Sequence, residues 1–126
     1  MSRKDILYRV RTQVKLVRTL SDRLREIAPD GLRSLRLDGA PRGSGYRGLE
    51  AKLEKKEAME RMLRRESELL RQYERDARRE MDGMKPDHYA FCVLYYISGL
   101  SMEEAVGTMG KSVRQGSRYK QEIEMA

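Results

Sequence analysis

Tryptophan is absent, phenylalanine occurs once, and aromatic residues make up only 6% of the 126 positions. So little bulky apolar material excludes a thick core and predicts narrow apolar stripes along elongated helices. The single cysteine, Cys92, excludes an internal disulfide and fits a reducing compartment. The single histidine, His88, stands four residues before it, a spacing that places both on one helix face. Two ligands do not complete a metal site, so packing is the expected role of both and neither a metal nor a cofactor is expected. The same scarcity leaves no nucleophile and base to meet around a substrate, and the sequence does not read as an enzyme. No apolar run approaches the roughly 18 residues of a membrane span, and Met1-Ser-Arg-Lys-Asp leads into no apolar signal core. A soluble, cytoplasmic protein without membrane contact is the expectation.

Charge, by contrast, is abundant: 37% of residues are charged and the net charge is +7. Up to Lys85 there are 23 basic and 15 acidic residues, and from Pro86 onward 4 basic and 5 acidic. The excess therefore lies in the first two thirds, and any attraction of the last third for a polyanion must come from a local face.

From Ser2 to Ile27, apolar residues recur at Ile6, Val10, Val14, Val17, Leu20, Leu24 and Ile27, steps of three and four that predict one helix. Ser2 and Asp5 can start it, and Pro29, Asp30 and Gly31 are expected to end it. Residues 30–48 carry five glycines and Pro41, which predicts a flexible connection in which Leu32, Leu35 and Leu37 could dock. Its PRGSGYRG piece lacks the Gly-Lys-Ser/Thr of a phosphate loop, although Arg42, Tyr46 and Arg47 could brush nucleic acid. Leu49 to Met81 is a run of helix formers without glycine or proline. Its thin stripe, interrupted by Lys56 and Glu66, needs a partner along its length, either the first helix or a second copy of the chain. Acids interspersed through this run make it a solvated face rather than a nucleic-acid groove.

Gly83 and Pro86 break the long helix and open the most apolar stretch, DHYAFCVLYYI from Asp87 to Ile97. This is the expected core helix, with Ala90, Val93, Leu94 and Ile97 on one side and Tyr89, Phe91, Cys92, Tyr95 and Tyr96 distributed around it. Beyond it two helix-start signals stand eleven residues apart, Ser101 with Glu104 and Ser112 with Gln115. Each has the spacing of a capping box, in which a hydroxyl and a carboxyl or amide satisfy orphan backbone donors. Glu103 and Glu104 suit the first turn of a helix through its dipole rather than acid-base chemistry. Gly110 follows Met109 where a left-handed residue would end the first helix. Helix, glycine turn and helix make a helix-turn-helix, whose second helix, 112–124, can lie in a DNA major groove. Mid-helix Gly116 costs roughly 0.5–1 kcal/mol relative to alanine and predicts a bent or loosely packed second helix.

The run YAFCVLYYISGLSMEEAVGTMGKSVRQGSRYKQEIE resembles the DNA-reading region four of sigma factors and its phage and prophage relatives, the ArpU and RinA type of late transcription regulators. The resemblance rests on Tyr96, Ile97, Gly99, Leu100, Ser101, Glu103, Glu104, Met109, Gly110 and Ser112. It departs where that pattern has a large aliphatic followed by alanine, here Ala105 and Val106, and where it has a buried valine, here Gly116. Taken with the helix periodicity of the first two thirds, it implies an all-α fold: a long helical hairpin or coiled-coil arm over residues 1–82, then a three-helix helix-turn-helix module over 83–126. It also implies a bacterial host cell, double-stranded DNA as partner and transcription regulation as function. Arg114, Gln115, Arg118, Ser117 and Gln121 would then face base edges, while Lys111, Ser112 and Lys120 would hold phosphates. A homodimer through the arm is expected. The competing expectation is a phage interaction or assembly component, such as a packaging-type subunit or an inhibitor docking on host RNA polymerase or another nucleic-acid machine.

Overall fold

The computed structural model describes residues 1–37 and 43–126, with side chains for 1–27 and 48–126. The described residues form helices joined by short turns, without a strand: α1 (Arg3–Leu37), α2 (Gly43–Met81), α3 (Pro86–Cys92), α4 (Met102–Met109) and α5 (Val113–Met125). Ser2 caps α1 as its spacing with Asp5 predicts, its Oγ accepting from the Asp5 N–H at 3.3 Å. The expected stop at Pro29 to Gly31 is not where α1 ends, because the helix runs on to Leu37. Internal proline removes one N–H and crowds the carbonyl four residues back, a local cost that flanking helix formers such as leucine and arginine can outweigh. Likewise α2 begins at Gly43 rather than Leu49. Of the connection expected over 30–48, residues 30–37 and 43–48 are helical, and residues 38–42 lie outside the described residues, as do the side chains of Leu32, Leu35, Leu37, Arg42, Tyr46 and Arg47.

The chain divides into two compact units, Met1–Lys15 with Glu68–Ala126, and Leu16–Ser67. This differs from a boundary between 82 and 83. Stripe periodicity says that a helix face is buried but not against what, so the membership of the first 15 residues could not be read from spacing.

In the first unit α1 and α2 run antiparallel: Arg3 pairs with Glu80 at 3.5 Å, and the Arg9 guanidinium lies 4.8 Å from the Tyr73 ring centre. Leu7, Val10, Ala77 and Met81 join Phe91, Cys92, Tyr96, Ala105, Val106 and Ile123 in one buried cluster. Few as the aromatics are, five of them gather here. Tyr96 meets Tyr8 and Tyr95 edge-on at 5.7 and 5.0 Å, while Phe91 stacks on Tyr95 at 5.2 Å and tilts toward Tyr119 at 6.2 Å. Such offset and edge geometries suit the ring quadrupoles. The buried residues of the core helix are Phe91, Cys92 and Tyr96, while Ala90, Val93, Leu94 and Ile97 are half-buried. After Cys92 the helix widens into a π turn, Val93–Ile97, with the Ser98 N–H reaching Val93 O at 2.8 Å, and this rotates the following side chains off the α period. Arg11 of α1 closes that end: its Nη1 donates to Tyr95 O and to Leu100 O, the latter at 2.7 Å, with the guanidinium 3.8 Å from the Tyr95 ring centre.

In the second unit, Leu20 is the one buried hydrophobic among the described residues, and Leu16, Leu53 and Met62 are each more than 40% exposed. An open crevice of about 540 Å³ lies between its helices, lined by Thr19, Asp22, Arg23, Glu26, Ile27, Lys55 and Met59.

Candidate nucleic-acid interface

Both capping boxes form as the spacing predicts. Ser101 Oγ accepts from the Glu104 N–H at 3.2 Å while Glu104 Oε1 accepts from the Ser101 N–H at 3.3 Å. Ser112 and Gln115 repeat the exchange at 3.2 and 3.1 Å. Between them Gly110 adopts φ 70°, ψ 29°, and the Lys111 N–H bonds back to Val106 O at 2.8 Å. A left-handed residue followed by this long return bond is how a helix ends and the chain turns at once into the next.

Gly116 does not loosen α5. It is buried, and a Cβ there would collide with Val106 Cγ1 and lie 2.6 Å from Met102 Sδ. Absence of a side chain is what lets α5 approach α4 this closely, which the cost of a helical glycine alone could not reveal. Val106 on α4 fills the volume that Gly116 leaves open on α5.

With Gly116, Tyr119 and Ile123 turned inward, the helical period turns Arg114, Ser117, Arg118 and Gln121 outward, and all four are exposed, as are Ser112 and Gln115 at the helix start. Lys111 is half-buried. Lys120 departs from the expected phosphate role. It shares the packed face, with Nζ 5.6 Å from the Tyr8 ring centre and 6.0 Å from that of Tyr95. A hydrogen bond with Tyr8 raises its pKa against the opposing effect of burial. Its reach inward follows from its position one residue after Tyr119 and four after Gly116. Its stem packs while its cation finds ring faces and a hydroxyl.

Spacing also did not point to the neighbours of Arg118. Glu122, one turn on, accepts from His88 Nε2 at 2.8 Å and lies 3.7 Å from Arg118 Nε. Tyr119 donates to Asp87 at 3.4 Å. These residues, with Lys85 and Pro86, line an open groove of about 440 Å³ between the start of α3 and α5. Among the described residues Lys85, Lys111 and Arg114 enter no ion pair. No periodic signal could have joined position 88 to 122, since they meet only through tertiary packing.

His88 and Cys92 turn to different neighbours, His88 to Glu122 and Cys92 to Met84, sulfur to sulfur at 3.8 Å. Burial pushes the Cys92 thiol up to about 12, partly opposed by the charge of Arg3. A thiol held protonated is a poor nucleophile. Burial, helped by its bond to Glu124 at 2.8 Å, also raises the Tyr96 phenol well above its ordinary range.

No match to this chain was found among protein-family models, curated proteins or solved structures.

Proposed function

We propose that this is a DNA-binding protein of phage or prophage type, a transcription regulator that lays α5 in the major groove. The observation carrying the reading is the arrangement at Gly110: a capped helix, a left-handed glycine and a second capped helix presenting Arg114, Ser117, Arg118 and Gln121 on one exposed face. Arginine offers a planar donor fork to guanine edges and glutamine or serine smaller donors and acceptors, while Lys111 and the Ser112 end of α5 suit phosphates. Two copies joined through the second unit would set two such helices on a duplex, and its exposed Leu16, Leu53 and Met62 supply the apolar surface for that contact. Titration of fragmented genomic DNA at two salt concentrations tests the reading, which requires affinity that falls with salt.

A second reading is favoured by Val113 and Met125, which are 47% and 77% exposed on the same helix. Apolar residues there suit a protein surface, such as host RNA polymerase or another nucleic-acid machine, better than a duplex. Under it, an isolated complex with that partner would survive Arg114→Ala and Arg118→Ala.

A further inference from the structure

We propose that the groove between α3 and α5 is a phosphodiester subsite, occupied by the protein's own Glu122 carboxylate until a duplex displaces it. The inference rests on the DNA-binding reading above and adds to it an internal competitor for the backbone.

The Glu122 carboxylate is held from two helices, by His88 of α3 at 2.8 Å and by Arg118 of α5 at 3.7 Å. An ionised carboxylate can only accept, so the imidazole Nε2 carries the proton and donates. His88 Nε2 bonds one carboxylate oxygen and Arg118 Nε stands nearest the other, so a donor and a cation face one anion, the pairing that a phosphate group takes. Lys85 lines the same groove and enters no ion pair among the described residues, and Asp87 is turned to the Tyr119 hydroxyl. Removing the Glu122 side chain from the groove would leave Lys85 and Arg118 against Asp87 alone, with the imidazole N–H still offered.

Release is easy. The Glu122 side chain is 49% exposed and sits on a regular helix, so a rotamer change suffices to swing it into solvent. Its pair with Arg118, whose side chain is 78% exposed, is of the surface type that holds weakly. A backbone phosphate brings release of condensed counterions from the duplex in addition to the same two donors. A carboxylate one turn from Arg118, on the flank of a helix that must approach phosphates, otherwise only repels them. Loss of a carboxylate that only repelled the duplex would tighten binding whether or not Lys85 is present, whereas loss of one that fills the subsite tightens it through Lys85.

The test is fluorescence anisotropy of a labelled mixed-sequence duplex at about 50 and 200 mM salt, with the full-length chain, Glu122→Gln, and Glu122→Gln combined with Lys85→Ala. Glu122→Gln should bind roughly three- to tenfold tighter with a salt slope steeper by about 1, and Lys85→Ala should remove most of that gain. In parallel, the His88 imidazole resonances of the unmutated protein should move when duplex is added, because their carboxylate partner departs. Salt-dependent binding by the unmutated chain that Glu122→Gln leaves equal or weaker, or His88 resonances that stay in place, overturns the subsite and leaves the DNA reading standing. Absence of salt-dependent binding by every variant discards both.

Discussion

A methyl group at position 116 would meet Val106 and Met102 at once, and α5 cannot retreat without breaking its contacts through Tyr119 and Ile123. Gly116→Ala should therefore destabilise the fold by about 1–3 kcal/mol despite the better helix propensity of alanine, measured by urea denaturation. Combined with Val106→Ala, which vacates the opposing volume, it should cost less than the two single changes added together. Additive losses would mean that the helices do not meet through this pair. Neither residue announces this in the sequence, where glycine in a helix reads as weakness and valine as an ordinary core choice. Their fit is legible only once α4 and α5 are placed, whereas Gly110, which acts through its own backbone, was legible from its neighbours.

The caps of α4 and α5 belong to single elements and use residues three apart, so the sequence displays them fully. Ser112→Ala should lower stability by about 1 kcal/mol, read from the same denaturation midpoint, and should leave α5 in place. Arg11 is the opposite case. It looks like one more charge on a basic helix, yet it bonds to the carbonyls of Tyr95 and Leu100, more than 80 residues away, where the π turn leaves them facing α1. Arg11→Ala should cost about 2–4 kcal/mol, because it leaves both carbonyls without their charged donor and uncovers the Tyr95 ring. A loss below 0.5 kcal/mol, within the range of ordinary surface changes, would contradict the clamp. α1 runs past its local stop signals for a related reason: Pro29 and Gly31 act on their immediate neighbours only, and the surrounding helix formers outweigh them.

Across the first unit, buried groups make the molecule sensitive to alkali. Cys92, Tyr8 and Tyr96 all have raised pKa values, mainly through burial, and Lys120 is raised chiefly by its bond to Tyr8. From about pH 9, the ordinary value of the cysteine thiol, the unfolded chain gives up protons that the folded chain keeps. Stability is therefore intact below pH 9 and falls as pH rises from there toward 12. The urea midpoint should drop between pH 8 and 11, and Cys92→Ala should delay the onset toward pH 10, the ordinary value for tyrosine. A midpoint that does not change with pH would contradict the burial of these groups. In the second unit, Leu53→Lys with Met62→Lys should turn the proposed dimer into a monomer in light scattering while leaving the first unit folded. An unchanged mass would exclude that surface as the contact between copies.

The claim on which the functional account turns is that the exposed side of α5 touches a duplex. Backbone amide chemical shifts recorded during titration with a duplex that the protein retains from genomic fragments test it most directly. The account predicts movement concentrated at residues 111–118 and 121, extending to 85–88 and leaving 49–67 unmoved. No movement, or movement confined to 49–67, would contradict it.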